Sequence, residues 1–200
     1  MKDVKRMNRQ AAITCAGILA LAVVAQANAQ GQGPGPRASV ASTTECALPR
    51  NDAGALTGML EVTTTLTNRT SGASAEVRDG TIAATYKEKT ARGNASETLG
   101  SAPIDDLIDL PTEVDPELGL AITAEFDLCD GAGGVLDEVE NARELNGKST
   151  VEYGLSGGGG NTRTVENRCT DDPDTSENEG GIRVADFIGE IQAACAAVFP

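Results

Sequence analysis

From Leu118 to Leu128 every even-numbered residue is apolar (Leu118, Leu120, Ile122, Ala124, Phe126, Leu128), while the odd positions include Thr123, Glu125 and Asp127. A helix cannot gather a period of two onto one face, whereas a strand does so automatically. The segment is therefore predicted to be a strand with its even face buried. Leu60–Thr67 repeats the pattern: Leu60, Val62, Thr64 and Leu66 share one parity, and Glu61, Thr63, Thr65 and Thr67 the other. After a polar turn at 68–74, Glu76–Lys87 reads as a second strand with Ile82, Ala84 and Tyr86 inward, so a hairpin is expected.

Further along, Asp130-Gly131 suits a tight turn from which Val135–Val139 would pair back. Val151, Tyr153 and Leu155 alternate within Ser149–Leu155, and Asn161–Cys169 gives one more strand beyond the glycines at 157–160. Between Lys89 and Gly119 the periodicity is lost, apart from a single helical turn expected at Asp105–Leu110. At the C-terminus Val184, Phe187, Ile188, Ile191 and Cys195 recur at three and four residues, the spacing of an amphipathic helix. Short strands joined by polar turns, closed by one helix, predict a mainly β chain folded as an antiparallel β-sandwich with a short C-terminal helix.

Residues 1–29 have the three parts of an export signal. Lys2, Lys5, Arg6 and Arg9 make a basic start, Ala11–Ala25 is apolar but too short to span a bilayer, and Ala27-Asn28-Ala29 offers small side chains before a cut at Gln30. Cys15 precedes most of the apolar run and so is not placed as a lipoprotein cysteine. Residues 30–45, rich in Gly, Pro, Ser and Ala, read as a flexible spacer, and the folded domain is expected over 46–200. No second apolar run reaches membrane-spanning length, so the mature chain is expected to hold no membrane span.

The whole chain carries 16 basic and 30 acidic residues. Loss of residues 1–29 removes four basic residues and Asp3, leaving 12 and 29 and a formal charge of −17. Such a surface repels nucleic-acid phosphates and attracts divalent cations, so no nucleic-acid partner is expected. Cys46, Cys129, Cys169 and Cys195 remain after cleavage. An even number in an exported chain implies two disulfides in one of three pairings, each worth about 2–4 kcal/mol. None of the four forms a C-x-x-C pair, which argues against a zinc site.

The stretch Ala121–Leu155, AITAEFDLCDGAGGVLDEVENARELNGKSTVEYGL, resembles bacterial immunoglobulin-like β-sandwich modules in its succession of strand, D-G turn, strand, G-K-S-T and strand. The resemblance implies an immunoglobulin-like, extracytoplasmic, non-catalytic domain and carries over no functional residue.

The chain has no histidine, which removes Ser-His-Asp and Cys-His catalysis and every His-based metal site. Gly154-Leu155-Ser156-Gly157-Gly158 matches G-x-S-x-G, yet glycines follow where a nucleophile elbow needs a helix. Gly147-Lys148-Ser149 ends like a phosphate loop, but Ala142 stands where the first glycine belongs. Asp105, Asp106 and Asp109 are close enough in sequence to suggest a carboxylate hydrolase, although no Trp and only two Tyr are available to line a sugar site. Asp174-Thr175-Ser176 lacks the glycine of an aspartic-protease motif. Asn68-Arg69-Thr70 and Asn94-Ala95-Ser96 are glycosylation sequons that read here as turn residues.

One acidic cluster keeps a binding role in view. Asp171, Asp172, Asp174, Glu177 and Glu179 place oxygen ligands close together, as Ca²⁺ requires, although Glu177 and Arg183 fall where an EF-hand has Gly and Glu. The expected function is an exported, non-catalytic interaction module, located in the periplasm, released, or at the cell surface. Its partner would be another extracytoplasmic protein or a surface polymer. The alternatives are a Ca²⁺-binding extracellular module and a carboxylate-based hydrolase. No catalytic residue and no cofactor is assigned; Ca²⁺ enters only through the alternative built on the acidic cluster.

Overall fold

The computed structural model describes residues 39–69, 73–90, 93–129, 139, 142–155, 161–169 and 181–198. The expected signal peptide, the Asp130-Gly131 turn and the glycines at 157–160 lie outside the described residues. Among the described residues, nine strands, a 3-10 turn and one helix follow in order. They are β1 (Val40–Ala47), β2 (Met59–Asn68), β3 (Ala75–Thr90), β4 (Gly93–Pro103), the turn Ile104–Asp106, β5 (Thr112–Val114), β6 (Leu120–Asp127), β7 (Ala142–Leu155), β8 (Thr162–Arg168), β9 (Ile182–Arg183) and α1 (Val184–Val198).

The strands form two antiparallel sheets. The smaller has the order β1-β2-β6; the larger has the order β4-β3-β7-β8, with β5 also on β3 and β9 also on β7. Leu60, Val62 and Leu66 of β2 and Ile122, Ala124 and Phe126 of β6 face Ile82, Ala84, Tyr86, Val151 and Tyr153 of the larger sheet across one buried core. The chain is thus a mainly β sandwich with a C-terminal helix, as the alternation predicts.

Several expectations are corrected. The spacer does not extend to residue 45, because β1 begins at Val40. Its inward side chains are Val40, Ser42, Thr44 and Cys46, an alternation written in hydroxyls that escapes an apolar count. The expected hairpin of the second and third strands does not form: β2 pairs with β1 and β6, and β3 with β4, β5 and β7, in the other sheet. Of Val135–Val139 only Val139 is described, and it is buried in helical conformation. The region between Lys89 and Gly119, where no strand is expected, contains β4 and β5. β7 starts at Ala142, seven residues before the expected Ser149.

β4 is an edge strand of small and polar residues, and at Gly100 a Cβ would lie 2.8 Å from the Phe126 ring. Its free edge carries three devices that discourage pairing with another chain: Glu97, opposite the buried Tyr86; a bulge at Leu99, where the register shifts; and Pro103.

The face assignment of β6 predicts a contrast between neighbouring residues. Ile122 is 1 % exposed, whereas Thr123 faces solvent and shares a 2.8 Å hydrogen bond with Thr63. Ile122→Ala should cost about 2–5 kcal/mol and Thr123→Ala under about 1 kcal/mol. Denaturant unfolding of the oxidised protein measures both, and equal losses would contradict the register.

Candidate functional site: the two ends of the sandwich

The two disulfides pair Cys46 with Cys169 and Cys129 with Cys195, Cα–Cα 5.5 and 5.2 Å. The first ties β1 to the end of β8; the second ties the end of β6 to α1. Cys169 also forms a bridge with Thr44, and its N–H donates to Gly147 O at 2.9 Å. Gly147 has to be glycine, because a Cβ there would lie 2.5 Å from Val62 Cγ1, 2.8 Å from Cys169 Sγ and 2.9 Å from Cys46 Sγ. Two residues on, the Ser149 hydroxyl shares a 2.8 Å hydrogen bond with Thr44, which also reaches Thr64 at 3.2 Å. Gly147-Lys148-Ser149 is therefore mid-strand packing in β7 and cradles no phosphate. Gly154 and Leu155 end the same strand, and the G-x-S-x-G serine lies outside the described residues.

The other polar cluster on β7 also holds sheet elements together. Lys87 Nζ donates to both Glu144 oxygens, at 2.9 and 3.0 Å, and Asn146 Nδ2 donates to Glu144 Oε1. Glu144 is flanked across the sheet by Lys87 on β3 and Arg183 on β9. A buried carboxylate is tolerable because a cation and an amide supply its hydrogen bonds.

The sequence-predicted site residues are not brought together. Asp171, Asp172, Asp174, Glu177 and Glu179 lie outside the described residues. Their described flanks, Cys169 and Ile182, both attach to β7, at Gly147 and Leu145. Asp105 and Asp106 are exposed on the 3-10 turn, Asp109 is exposed beyond it, and Asp109 O accepts the Thr112 hydroxyl. Among the described residues no group of three or more Cys, Asp or Glu side chains could hold a metal ion. The two sequons differ: Asn68 is buried and its amide donates to Ala73 O at 3.0 Å, whereas Asn94 is exposed.

Two features missed by sequence reasoning occupy opposite ends. The first is the turn Asp115–Gly119. Asp115 Oδ1 accepts the N–H groups of Glu117 and Leu118, at 2.7 Å each, and Asp115 O accepts Gly119 N–H at 3.0 Å. Gly119 has φ 74°, and a Cβ would meet Leu66 O at 2.5 Å. The turn holds Leu118 out at 88 % exposure, so this residue does not continue the buried face of β6. Hydrogen bonds from the Leu118 and then the Glu117 amide hold the Asp115 carboxyl below the usual carboxylate range.

The second is a groove of about 420 Å³ between α1 and the loop joining β1 to β2, lined by Asn51, Ala55, Leu56, Glu190, Ala194 and Ala197 among others. Asn51 Oδ1 shapes the loop by accepting the N–H groups of Ala53 and Ala55, at 3.0 Å each. At its rim Arg50 NH1 donates to Gly54 O at 2.8 Å and to Glu190 Oε2 at 2.6 Å. The Glu190 carboxylate raises the Arg50 pKa through that hydrogen bond. The available sequence signal was the alanines on the solvent side of α1.

No family model matches the chain, and no curated protein matches it. Among solved structures, a structural-genomics target, SoR45, is similar at 12 % identity and TM-score 0.34, over 73 % of this chain and 96 % of that one. Spo0M, a sporulation control protein from Bacillus subtilis, is similar at 11 % identity and TM-score 0.29, over 64 % of this chain. The match spans 47 % of Spo0M, about half its length. Neither likeness bears on function.

Two predictions follow from these residues. The amide resonances of Glu117 and Leu118 should titrate together, with an apparent pKa below the ordinary Asp value of about 3.9. The carboxylate's contribution to holding the turn is thus complete above that ordinary value and is lost as pH falls through the folded value. Independent or absent titration would refute the Asp115 assignment. If the acidic cluster at 171–179 binds Ca²⁺, the ion stabilises the fold by about 2.7 kcal/mol at 100 times Kd, and replacing Asp172, Asp174 and Glu177 by Ala abolishes the shift. Equal Ca²⁺ and Mg²⁺ effects that survive the triple substitution would reduce the cluster to general charge screening.

Proposed function

We propose that the protein is an exported, non-catalytic contact module that acts through its surface on another extracytoplasmic macromolecule. One observation carries this reading: among the described residues the buried hydroxyls and the Glu144 carboxylate are engaged in joining strands, and the described groove is walled mainly by Ala and Leu. Thr44, Thr64 and Ser149 bind one another, and Glu144 binds Lys87 and Asn146. The described pocket is lined by Ala55, Leu56, Ala193, Ala194 and Ala197 with Asn51, Thr57 and Glu190, and its hydroxyl and carboxylate are engaged elsewhere: Thr57 donates to Pro49 O and Glu190 accepts from Arg50. An active site instead needs acids, bases or nucleophiles in mutual reach.

Export is supported by the basic, apolar and A-x-A succession of residues 1–29 and by two disulfides, bonds that persist in oxidising compartments. Among the described residues no helix is long and apolar enough to cross a membrane. The resemblance of Ala121–Leu155 to immunoglobulin-like modules points the same way.

A photo-cross-linking side chain placed at Leu118 or Thr123, in the protein at its native location, should yield discrete adducts with a macromolecule. The absence of adducts from either position would overturn the contact reading. Hydrolysis of a peptide, glycan or phosphoester that is lost in Asp105→Asn, Asp106→Asn or Asp109→Asn would overturn the non-catalytic one.

A further inference from the structure

Three steps in the sequence place Gly directly after Asp or Asn: Asp79-Gly80, Asp130-Gly131 and Asn146-Gly147. At such a step the glycine nitrogen can attack the carbonyl carbon of the preceding side chain and close a succinimide ring, because glycine has no Cβ to hinder the approach. Asn-Gly is intrinsically the faster kind, since an ionised carboxylate is a poorer electrophile than a carboxamide. Asp130-Gly131 lies outside the described residues, and the fold treats the other two steps in opposite ways.

Asn146-Gly147 is locked. Asn146 is 6 % exposed, and its Nδ2 donates to Glu144 Oε1. Gly147 pairs with Ala84 of β3 on one side, and on the other its carbonyl accepts the Cys169 N–H at 2.9 Å. Gly181 covers the carboxamide so closely that a Cβ on it would lie 2.7 Å from Asn146 Nδ2. Ring closure has to turn the Gly147 nitrogen toward Asn146 Cγ, and a backbone paired on both sides resists that turn.

Asp79-Gly80 is open. The register of β3 on β7 steps from Tyr153 at Val77 to Glu152 at Asp79, so Arg78 is the extra residue of a bulge. Along the other side of β3, β5 ends its pairing at Val77 and β4 begins at Thr81, so among the described residues no strand flanks 78–80 there. Asp79 is exposed, and the Gly80 N–H donates to Asp79 Oδ1 at 2.7 Å. The nucleophilic nitrogen is thus already turned toward the carboxyl group, whose Cγ is one bond from the accepting oxygen. Glu152 stands opposite Asp79, and loss of the Asp79 charge on ring closure relieves that like-charged pair. Packing demands glycine at 80, because a Cβ would lie 2.5 Å from Ile104 Cδ1 and from Thr150 O.

We propose that Asp79-Gly80 is a self-modification site of the folded protein, which converts slowly to isoaspartate with water as co-reactant while the fold protects the more reactive Asn146-Gly147. Gly80 N bonds to Asp79 Cγ, and the N–H proton and the carboxyl OH leave together as water. A water molecule then adds to one of the two ring carbonyl carbons. Breaking the bond from N to Cγ restores Asp79. Breaking the bond from N to the main-chain carbonyl carbon of Asp79 leaves the chain running through Cβ and Cγ. Nothing is oxidised or reduced, and the mass is unchanged overall. The change lands in β3, the strand that joins β4, β5 and β7.

Peptide mapping with fragmentation that separates aspartate from isoaspartate tests this, on oxidised protein kept warm for weeks at physiological salt. In the native protein isoaspartate should accumulate at 79 roughly ten-fold faster, or more, than Asn146 is lost. In the reduced chain held unfolded in guanidinium chloride the order should reverse, and residue 79 should react no faster than in the native protein. Asp79→Asn, at an exposed position, keeps an oxygen for the Gly80 N–H and should close its ring faster than the wild type. An Asp79 that stays unmodified in the native protein would overturn the proposal. So would loss of Asn146 as fast in the native protein as in the unfolded chain. Neither result touches the contact reading, which does not depend on this site.

Discussion

The two sheets approach so closely at Gly147 that no side chain fits between them, and much of the structure is arranged around that contact. The Cys46–Cys169 disulfide lies against the bare backbone of β7, with Val62 beside it. The Thr44–Ser149 hydrogen bond crosses the sandwich nearby. On the same side, Asn167 Nδ2 donates to the carbonyl and hydroxyl of Ser42, so β1 and β8 are joined by a covalent bond, side-chain hydrogen bonds and a backbone bridge. A tight interface of this kind allows polar residues inside because each hydroxyl meets another hydroxyl or an amide; leaving one unpaired would cost about 1–3 kcal/mol.

Where the inner residues are apolar, the fold was legible in the sequence. β2, β3, β6 and α1 announce themselves because Leu, Ile, Val and Phe recur at the period of the element. β1 was hidden because Ser42 and Thr44 fill its inner positions, and β4 because an edge strand meets the core through little more than Gly100 and Leu99. The mistaken hairpin has a topological cause: strands adjacent in sequence need not share a sheet, and β2 and β3 belong to different ones. Leu118 has the parity of β6 but precedes Gly119, whose positive φ ends the alternation. The groove left only the alanines of α1 as a sequence signal, because it depends on where a loop folds against the solvent side of a helix. The acidic cluster was legible only as composition.

The two outer faces differ in charge. On the smaller sheet the outward residues of β1, β2 and β6 include Glu45, Glu61, Glu125 and Asp127 among threonines and alanines, without a Lys or Arg. Glu61 and Glu125 stand directly opposite one another, a pairing that disfavours the folded state slightly. The larger sheet carries Lys87, Lys148 and Arg168 outward, with Lys87 and Lys148 paired to Glu144 and Glu166 at 2.9 and 3.6 Å. The molecule is therefore electrically polarised across its thickness, as well as shaped differently at its two ends.

The order of the four cysteines along the chain sets a condition on how the protein matures. The bonds interleave: Cys129 lies between Cys46 and Cys169, and Cys169 lies between Cys129 and Cys195. A chain crossing a membrane N-terminus first exposes Cys46 and Cys129 to an oxidant before either correct partner has emerged. Rapid oxidation in order of arrival would join those two and leave Cys169 with Cys195. Reaching the observed pairing then requires either that oxidation wait for the complete chain, or that a thiolate reopen the early bond and pass it on. If the chain is exported in that direction, its connectivity makes maturation depend on one of those two routes, delayed oxidation or disulfide exchange, beyond the oxidising power that two disulfides alone would require.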